Sequence, residues 1–573
     1  MRGVDWFFVV AVLLLAAGLR FIGLAFGEPD PRYMPTDAAR QTTNENIAVH
    51  PDEHLFVQRP LRMLLTGQLN PKFFHNPSFL INLNLFTYAL TGVQNELTWA
   101  ERDGTGARRE APFYLYLIGR AYSALGGLLA VAATYATVKI YPSLQLPPRK
   151  QGGRAWSRYA AGVAALLVAV SFPMVQHAHY ATTSSLAAGF TMCAIWASLA
   201  SLKAGERWRG RLFMLAGICA GLAAGNRYNA AAVSIVVFAA GWVLLYRYRN
   251  RRMLVTVLIG WLLVPAVFVF TTPHIIFDTE FFLSEFRYIT SQYLAGEDVP
   301  FTTDYGLWFD LRYLALFGIG MPASIAGLIG LWAVVRATYV SPVRDFLRRN
   351  SAALFTIIML LYLIPYSLVV LRTVRPSDQM LVPIIPQAVV FAGLGAGWLY
   401  ERLRKRSGIV GPTIALTLMA VPLTLTVPLV RQFVNEDTRY VMQAWIYDHL
   451  PAGSRIHLNG PYNVPLDEAV YTWTQEFGGE LLTIEDALAT GADYIILSDA
   501  WYFDVERSGE IVPEADRQHI REYLIAYQGL TEIARIERPI FPGYDWTMNT
   551  ASYWHNPGLT IYCTTLQSCN TIR

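Results

Sequence analysis

Eleven apolar runs, most of them close to 20 residues long, occupy positions 4–26, 113–138, 158–176, 183–202, 211–225, 228–246, 253–272, 311–335, 352–371, 380–400 and 409–430. About 20 apolar residues in a helix cross the hydrocarbon core, and a helix satisfies its backbone polar groups internally. The pattern predicts a mainly α, polytopic membrane protein with about 11 transmembrane helices. The first run is longer than a signal-peptide core and reads as an uncleaved span. The fifth and sixth, separated only by Asn226-Arg227-Tyr228, read as two short spans or as a hairpin that stops below the far interface. Charged residues make up 15% of the 573 positions, against about 25% in a soluble domain. The net charge of +4 suggests no nucleic-acid partner.

The basic residues give an orientation. Alternate loops carry Lys139, Arg149, Lys150, Arg154 and Arg158, then Lys203, Arg207, Arg209 and Arg211, then Arg247, Arg249, Arg251 and Arg252, then Arg344, Arg348 and Arg349, then Arg402, Arg404, Lys405 and Arg406. With eleven spans all of these fall on one side, which the positive-inside rule makes the cytoplasm. All ten histidines then fall outside, as do the long loops 27–112 and 273–310 with most of the acids. The chain divides into a transmembrane part, 1–430, and an extracytoplasmic part, 431–573.

The C-terminal part alternates helix-like and strand-like stretches. Thr438–Leu450 is amphipathic, Ser454–Leu458 strand-like, Thr483–Ala489 helix-like, and Ala492–Leu497 reads as a buried strand. That alternation predicts a small α/β domain. Its tryptophans Trp445, Trp473, Trp501, Trp546 and Trp554 either pack a core or cover a sugar face. Four cysteines are too few for a disulfide framework. Cys193 and Cys219 lie in apolar runs, whereas Cys563 and Cys569 stand six residues apart outside the membrane, as a disulfide or as two thiols.

Three constellations could carry chemistry. The first is His50-Pro51-Asp52-Glu53-His54, followed by Lys72 and His75 in the same outer loop. Adjacent carboxylates near an apolar surface repel, which suits one of them to act as a base; the alternative is a solvated loop with ordinary acids. The second, His177-Ala178-His179-Tyr180, closes the third run; two histidines two apart are weak metal ligands and ordinary interface anchors. The third is Asn226-Arg227-Tyr228-Asn229. An arginine at the membrane boundary either snorkels or holds an anion such as phosphate in its fork of donors. Arg20 in the first run and Arg375 before the tenth carry the same ambiguity.

These motifs resemble the GT-C superfamily of membrane glycosyltransferases, in particular the family 39 group of protein O-mannosyltransferases and the lipid A aminoarabinose transferase. The resemblance rests on Asp52-Glu53 with Gly67, Pro71 and Asn76-Pro77-Ser78; on Arg120 with Gly126; on Gly221-Leu222-Ala223 leading to Arg227-Tyr228-Asn229; on Thr272-Pro273-His274 leading to Phe277-Asp278 and Phe281; and on Asp437-Thr438-Arg439 leading to Trp445-Ile446 and Pro451-Ala452-Gly453. It implies a polyprenyl-phosphate sugar donor and a lipid, protein or glycan acceptor at the outer membrane face. It implies Asp52 as the base and Glu53 as the neighbour that orients acceptor or base. Arg227, Tyr228, Arg375, His274 and Arg20 become the candidates for the donor phosphate, with His50, His54, Lys72, His177 and His179 as further candidates.

Two positions depart from the family pattern. Ser184 stands where relatives often have an acid, so no metal ligand set is assigned and a divalent metal stays open. Gln379-Met380 stands where Arg-Tyr is common, which moves phosphate binding towards Arg375 or Arg227. The layout suits the chemistry. A sugar hydroxyl needs a positioned base, a departing lipid phosphate needs a fixed cation, and the lipid tail keeps both at the membrane surface. Two other classes compete: a transporter, and a non-catalytic scaffold on a degenerate transferase fold.

Overall fold

The computed structural model describes residues 3–28, 50, 52–95, 112–141, 153–295, 306–339, 352–370, 372–373, 377–460, 462–475, 483–500, 514–537 and 556–572. Each apolar run is helical over most of its described residues. Seven helical stretches are long and apolar enough to cross a membrane: Phe113–Ile140, Ser184–Lys203, Tyr228–Tyr248, Arg251–Thr271, Ala352–Val370, Asp378–Leu403 and Val410–His449. An eighth span results if Trp308–Gly318 and Met321–Arg336, bent by 108° at the break between them, act as one. The other three runs fall short of that standard for identifiable reasons. Trp6–Phe21 and Trp156–Val170 are short as apolar stretches, and Glu206–Asn226 opens on Glu206, Arg207, Arg209 and Arg211. Arg227 separates the fifth and sixth helices as a single extended residue, with φ −145° and ψ 131°.

The helices approach closely through small residues, the usual device where lipid removes the hydrophobic drive between helices. A Cβ on Gly126 would meet Leu186 Cα at 2.7 Å, so Phe113–Ile140 and Ser184–Lys203 touch almost backbone to backbone. Gly330 and Gly395 make the same approach between Met321–Tyr339 and Ile385–Leu403.

Two further helices lie in segment 27–112. Glu53–Thr66 ends at Gly67, whose φ of 70° suits glycine. Phe79–Thr91 has 13 residues, too few to span, and buries Leu80, Ile81, Asn84 and Tyr88. Asn84 Nδ2 donates to Phe56 O at 2.9 Å, which joins the two helices. Segment 273–310 supplies Thr279–Leu294, which rests on the first segment through Phe281 and Phe282 against Phe74.

The C-terminal part contains five strands: β1 Arg455–Asn459, β2 Thr472–Gln475, β3 Tyr494–Ser498, β4 Thr531–Ile536 and β5 Leu559–Cys563, in the order β2-β1-β3-β5-β4. β1 pairs parallel with β2 and β3, and β5 runs antiparallel to β3 and β4. One face buries Ile456, Leu458, Tyr494, Ile496 and Ile561 against Met442 and Ile446 of the helix Thr438–His449. The other packs Ile495, Leu497 and Tyr562 against Ala487 and Tyr527. Trp445 and Trp473 pack against the first of these cores; Trp501, Trp546 and Trp554 lie outside the described residues. Cys563 and Cys569 form a disulfide with their Cα atoms 5.4 Å apart. Tyr440 donates to Gly27 O at 2.9 Å and so ties the first C-terminal helix to the chain just beyond the first run.

Candidate active site

A cavity of about 600 Å³ opens where segments 52–55 and 73–76 meet segments 227–232 and 286–294. Its lining includes the polar side chains of Asp52, His75, Asn76, Arg227, Tyr228, Asn229, Gln292 and Gln379 and the apolar ones of Phe73, Phe286, Ile289, Leu294, Val369 and Val370. Residues far apart in sequence thus share one concave surface of mixed polar and apolar lining. Such a surface suits a ligand with a charged head and an apolar body.

Asp52 is the N-cap of Glu53–Thr66, yet its side chain makes no capping hydrogen bond. Its backbone N–H donates to His50 Nδ1 at 3.0 Å, and the His50 ring is buried against Tyr180, 4.9 Å between centroids. The following residue turns the other way. Glu53 is fully buried and accepts from Arg120 Nε at 2.8 Å and Nη2 at 3.0 Å. It also accepts from Ala181 N at 2.8 Å, and Arg120 Nη1 donates to Leu24 O and Phe26 O. This knot joins four segments directly behind Asp52. Glu53 is not on the cavity wall; its partners lie behind the turn that carries Asp52.

Arg227 follows the last residue of Glu206–Asn226, where a cation is favoured by the helix dipole. It is 8% exposed, donates through Nη2 to Gln379 Oε1 at 2.6 Å, and buries its Nε with no hydrogen-bond partner among the described residues. Tyr228 donates to Phe74 O at 3.0 Å, and Asn229 Nδ2 donates to the Tyr366 hydroxyl at 3.1 Å.

The other candidates are placed elsewhere. Arg20 is fully buried between helices, donating to Ala16 O, Val168 O and Ala169 O, because an arginine inside a packed bundle must spend its donors on neighbouring carbonyls. It is not on the cavity wall. His274 opens a four-residue helix and contacts Phe277; it too is off the wall. Lys72 pairs with Asp278 at 2.6 Å and clips segment 27–112 to segment 273–310. That bond holds the Asp278 carboxyl below its ordinary range. His54 is half-buried on its helix, away from the wall. His177 is buried 3.4 Å from Asp378 Oδ2, whereas His179 sets its two ring nitrogens against Val175 O and Ile22 O. The two histidines thus face different partners. No group of three or more His, Cys, Asp or Glu that could hold a metal ion occurs among the described residues. Arg375 lies outside them.

Sequence reading gave no role to two features of this site. His75 Nε2 stands 3.0 Å from Glu285 Oε2, across the same two segments. Burial lowers the His75 pKa, and the Glu285 carboxylate pulls it back up. Gln379 read only as the loss of a family arginine, yet it is the residue that Arg227 binds.

The chain is similar to several solved structures. It is similar to an Archaeoglobus fulgidus oligosaccharyltransferase in the apo form at 11% identity and a TM-score of 0.48, over 88% of this chain and 70% of that one. The archaeal oligosaccharyltransferase AglB from the same organism, in complex with an inhibitory peptide and a dolichol-phosphate, aligns at 11% identity and 0.46, over 94% and 73%. ArnT from Cupriavidus metallidurans, bound to undecaprenyl phosphate, aligns at 13% identity and 0.47, over 99% of both chains. No protein-family model and no curated protein matches the chain.

Proposed function

We propose that this protein is a GT-C-type glycosyltransferase that moves a sugar from a polyprenyl-phosphate donor to an acceptor at the outer face of the membrane. The observation that carries the reading is that Asp52 and the Arg227–Tyr228 pair, far apart in sequence, line one cavity together with apolar side chains such as Phe73, Phe286 and Leu294. In this reading Asp52 takes the proton from an acceptor hydroxyl. The acceptor oxygen attacks the anomeric carbon as the bond from that carbon to the phosphate oxygen breaks, and the lipid phosphate leaves with the electron pair. Arg227 holds the charge that develops on it. One displacement inverts the anomeric centre. Residues 431–573 form a separate extracytoplasmic domain that selects the acceptor.

The reading requires the cavity to prefer an anionic lipid. Purified protein should bind undecaprenyl phosphate more tightly than undecaprenol. Arg227→Ala should weaken the phosphate form roughly 10–100-fold, the worth of one charged hydrogen-bonding group, with little effect on the alcohol. Arg227→Lys keeps the charge but loses the fork and should fall between. Equal binding of the two lipids by the wild type would remove the donor from the proposal.

The reading also requires eleven spans with the N-terminus in the cytoplasm. A cysteine introduced at Arg404 should then resist impermeant thiol reagents added outside intact cells, and one at Gly453 should react. Labelling at 404 from outside would overturn the orientation. One observation favours the transporter class instead: the span broken at 108°, with Asp310 buried in its first limb. Transporters use broken helices and ionisable residues in this way. That alternative predicts lipid or solute movement without release of free lipid phosphate.

A further inference from the structure

We infer that Gln379 holds the Arg227 guanidinium in place without neutralising it, and so keeps the cavity's cation available to an anion; this inference rests on the function proposed above. A guanidinium in a half-dry wall needs hydrogen-bond acceptors. A carboxylate would satisfy it most strongly, but the pair would carry no net charge and would leave little attraction for a third, anionic partner. An amide oxygen accepts one N–H and adds only a dipole. Arg227 Nη2 meets that kind of acceptor, Gln379 Oε1 at 2.6 Å. The Arg227 Nε, buried beside it, has no hydrogen-bond partner among the described residues.

The surrounding geometry makes this an organised arrangement. A carboxylate is present one residue away, on Asp378, but it is turned into the wall. Asp378 is 1% exposed, and its Oδ2 lies 3.4 Å from His177 Nε2 and 3.4 Å from the Tyr313 hydroxyl. Its Oδ1 accepts from the Gln379 backbone N–H at 2.8 Å. The acid thereby holds the backbone of Gln379. A second tie runs in parallel. The Tyr366 hydroxyl donates to Met380 O at 2.6 Å and accepts from Asn229 Nδ2 at 3.1 Å. Segments 227–229 and 378–380 are thus fastened twice, and Arg227, Asn229, Gln379 and Met380 all line the cavity. Gln379 is a positioning residue: it acts through Arg227.

A purely structural glutamine and a positioning glutamine predict opposite results for Gln379→Glu. As mere support for a buried arginine, glutamate is the better acceptor, and the variant would bind lipid as the wild type does. As the group that leaves the cation uncompensated, glutamine cannot be replaced by glutamate. We expect Gln379→Glu to keep its thermal midpoint and lose about tenfold or more in affinity for undecaprenyl phosphate, with undecaprenol binding unchanged. Binding should recover as the pH is lowered and the new carboxyl protonates. Gln379→Met removes the bond without adding charge and should lose only a few-fold; it also serves as the variant if Gln379→Glu does not fold. Wild-type affinity in Gln379→Glu, with Arg227→Ala impaired, would overturn this inference and leave the proposed function standing. Failure of the wild type to distinguish the phosphate from the alcohol would overturn both.

Discussion

Asp52→Asn is expected to lower turnover roughly 10²–10⁴-fold, the usual worth of a general base, while undecaprenyl phosphate binding stays within a factor of about two. Asparagine has nearly the shape of aspartate but cannot accept the acceptor's proton. The Asp52 side chain makes no capping bond that the helix Glu53–Thr66 depends on, and the contact with His50 uses the Asp52 backbone N–H. The loss should therefore appear in kcat, with the thermal midpoint close to wild type. The assay is sugar transfer by purified protein, with a polyprenyl-phosphate sugar as donor and a membrane extract as acceptor source. Near-normal turnover would remove Asp52 from the mechanism and shift weight to the transporter or scaffold classes.

The outcome for Arg227 is different in kind, and the pair of results separates two roles on one cavity wall. Asp52→Asn should spare donor binding and lose chemistry. Arg227→Ala should lose donor binding first, and with it the charge stabilisation of the leaving group. Loss of both properties in both variants would point to a collapsed cavity and would not support two assigned roles.

How far the site could be read from the sequence depended on whether a residue's role follows from its local context. Asp52, Arg227 and Tyr228 stand at the ends of apolar runs or in the long segment after the first, the depth at which the proposed reaction on a lipid phosphate would take place. For Glu53, adjacency in sequence suggests a task shared with Asp52, whereas the two side chains are placed apart. At the start of a helix, successive residues point about 100° apart, so Asp52 meets the cavity and Glu53 the interior. Arg20 misleads for another reason. An arginine near the end of an apolar run reads the same whether it reaches the interface or a neighbouring helix, and only the packing of Val168 and Ala169 beside it decides. The contact of His75 with Glu285 and that of Arg227 with Gln379 join segments whose approach is set by the whole bundle, and no local pattern announces them. The fold was more legible, because hydropathy is a property of each run. Even so, the first, third and fifth runs mix length and charge in ways that hydropathy alone does not resolve into spans.

Breaking the buried pair behind Asp52 is expected to cost stability on a scale that few other single changes in this chain would reach. Glu53 and Arg120 are 0% and 1% exposed at their side chains, and the pair is bidentate. Forming such a pair gains little over an apolar contact of the same shape, because both charges give up their water. Removing one partner strands the other charge in the interior, at about 3–5 kcal/mol. Arg120→Ala should be the harsher change, since it also releases Leu24 O and Phe26 O, which Arg120 Nη1 caps. Glu53→Gln keeps an oxygen for the Ala181 N–H but removes the charge that balances Arg120, so it should lose somewhat less. Both variants should show a lowered thermal midpoint in detergent and reduced yield. The measurement that gives Glu53 its role is turnover per folded molecule at a temperature where the variant is still folded. If Glu53 only holds the turn at Asp52, that turnover should fall by much less than in Asp52→Asn, and added donor lipid should raise the midpoint of Glu53→Gln as it does that of the wild type. A Glu53→Gln protein of wild-type stability with turnover as low as Asp52→Asn would instead make Glu53 a participant in proton transfer, in spite of its burial against Arg120.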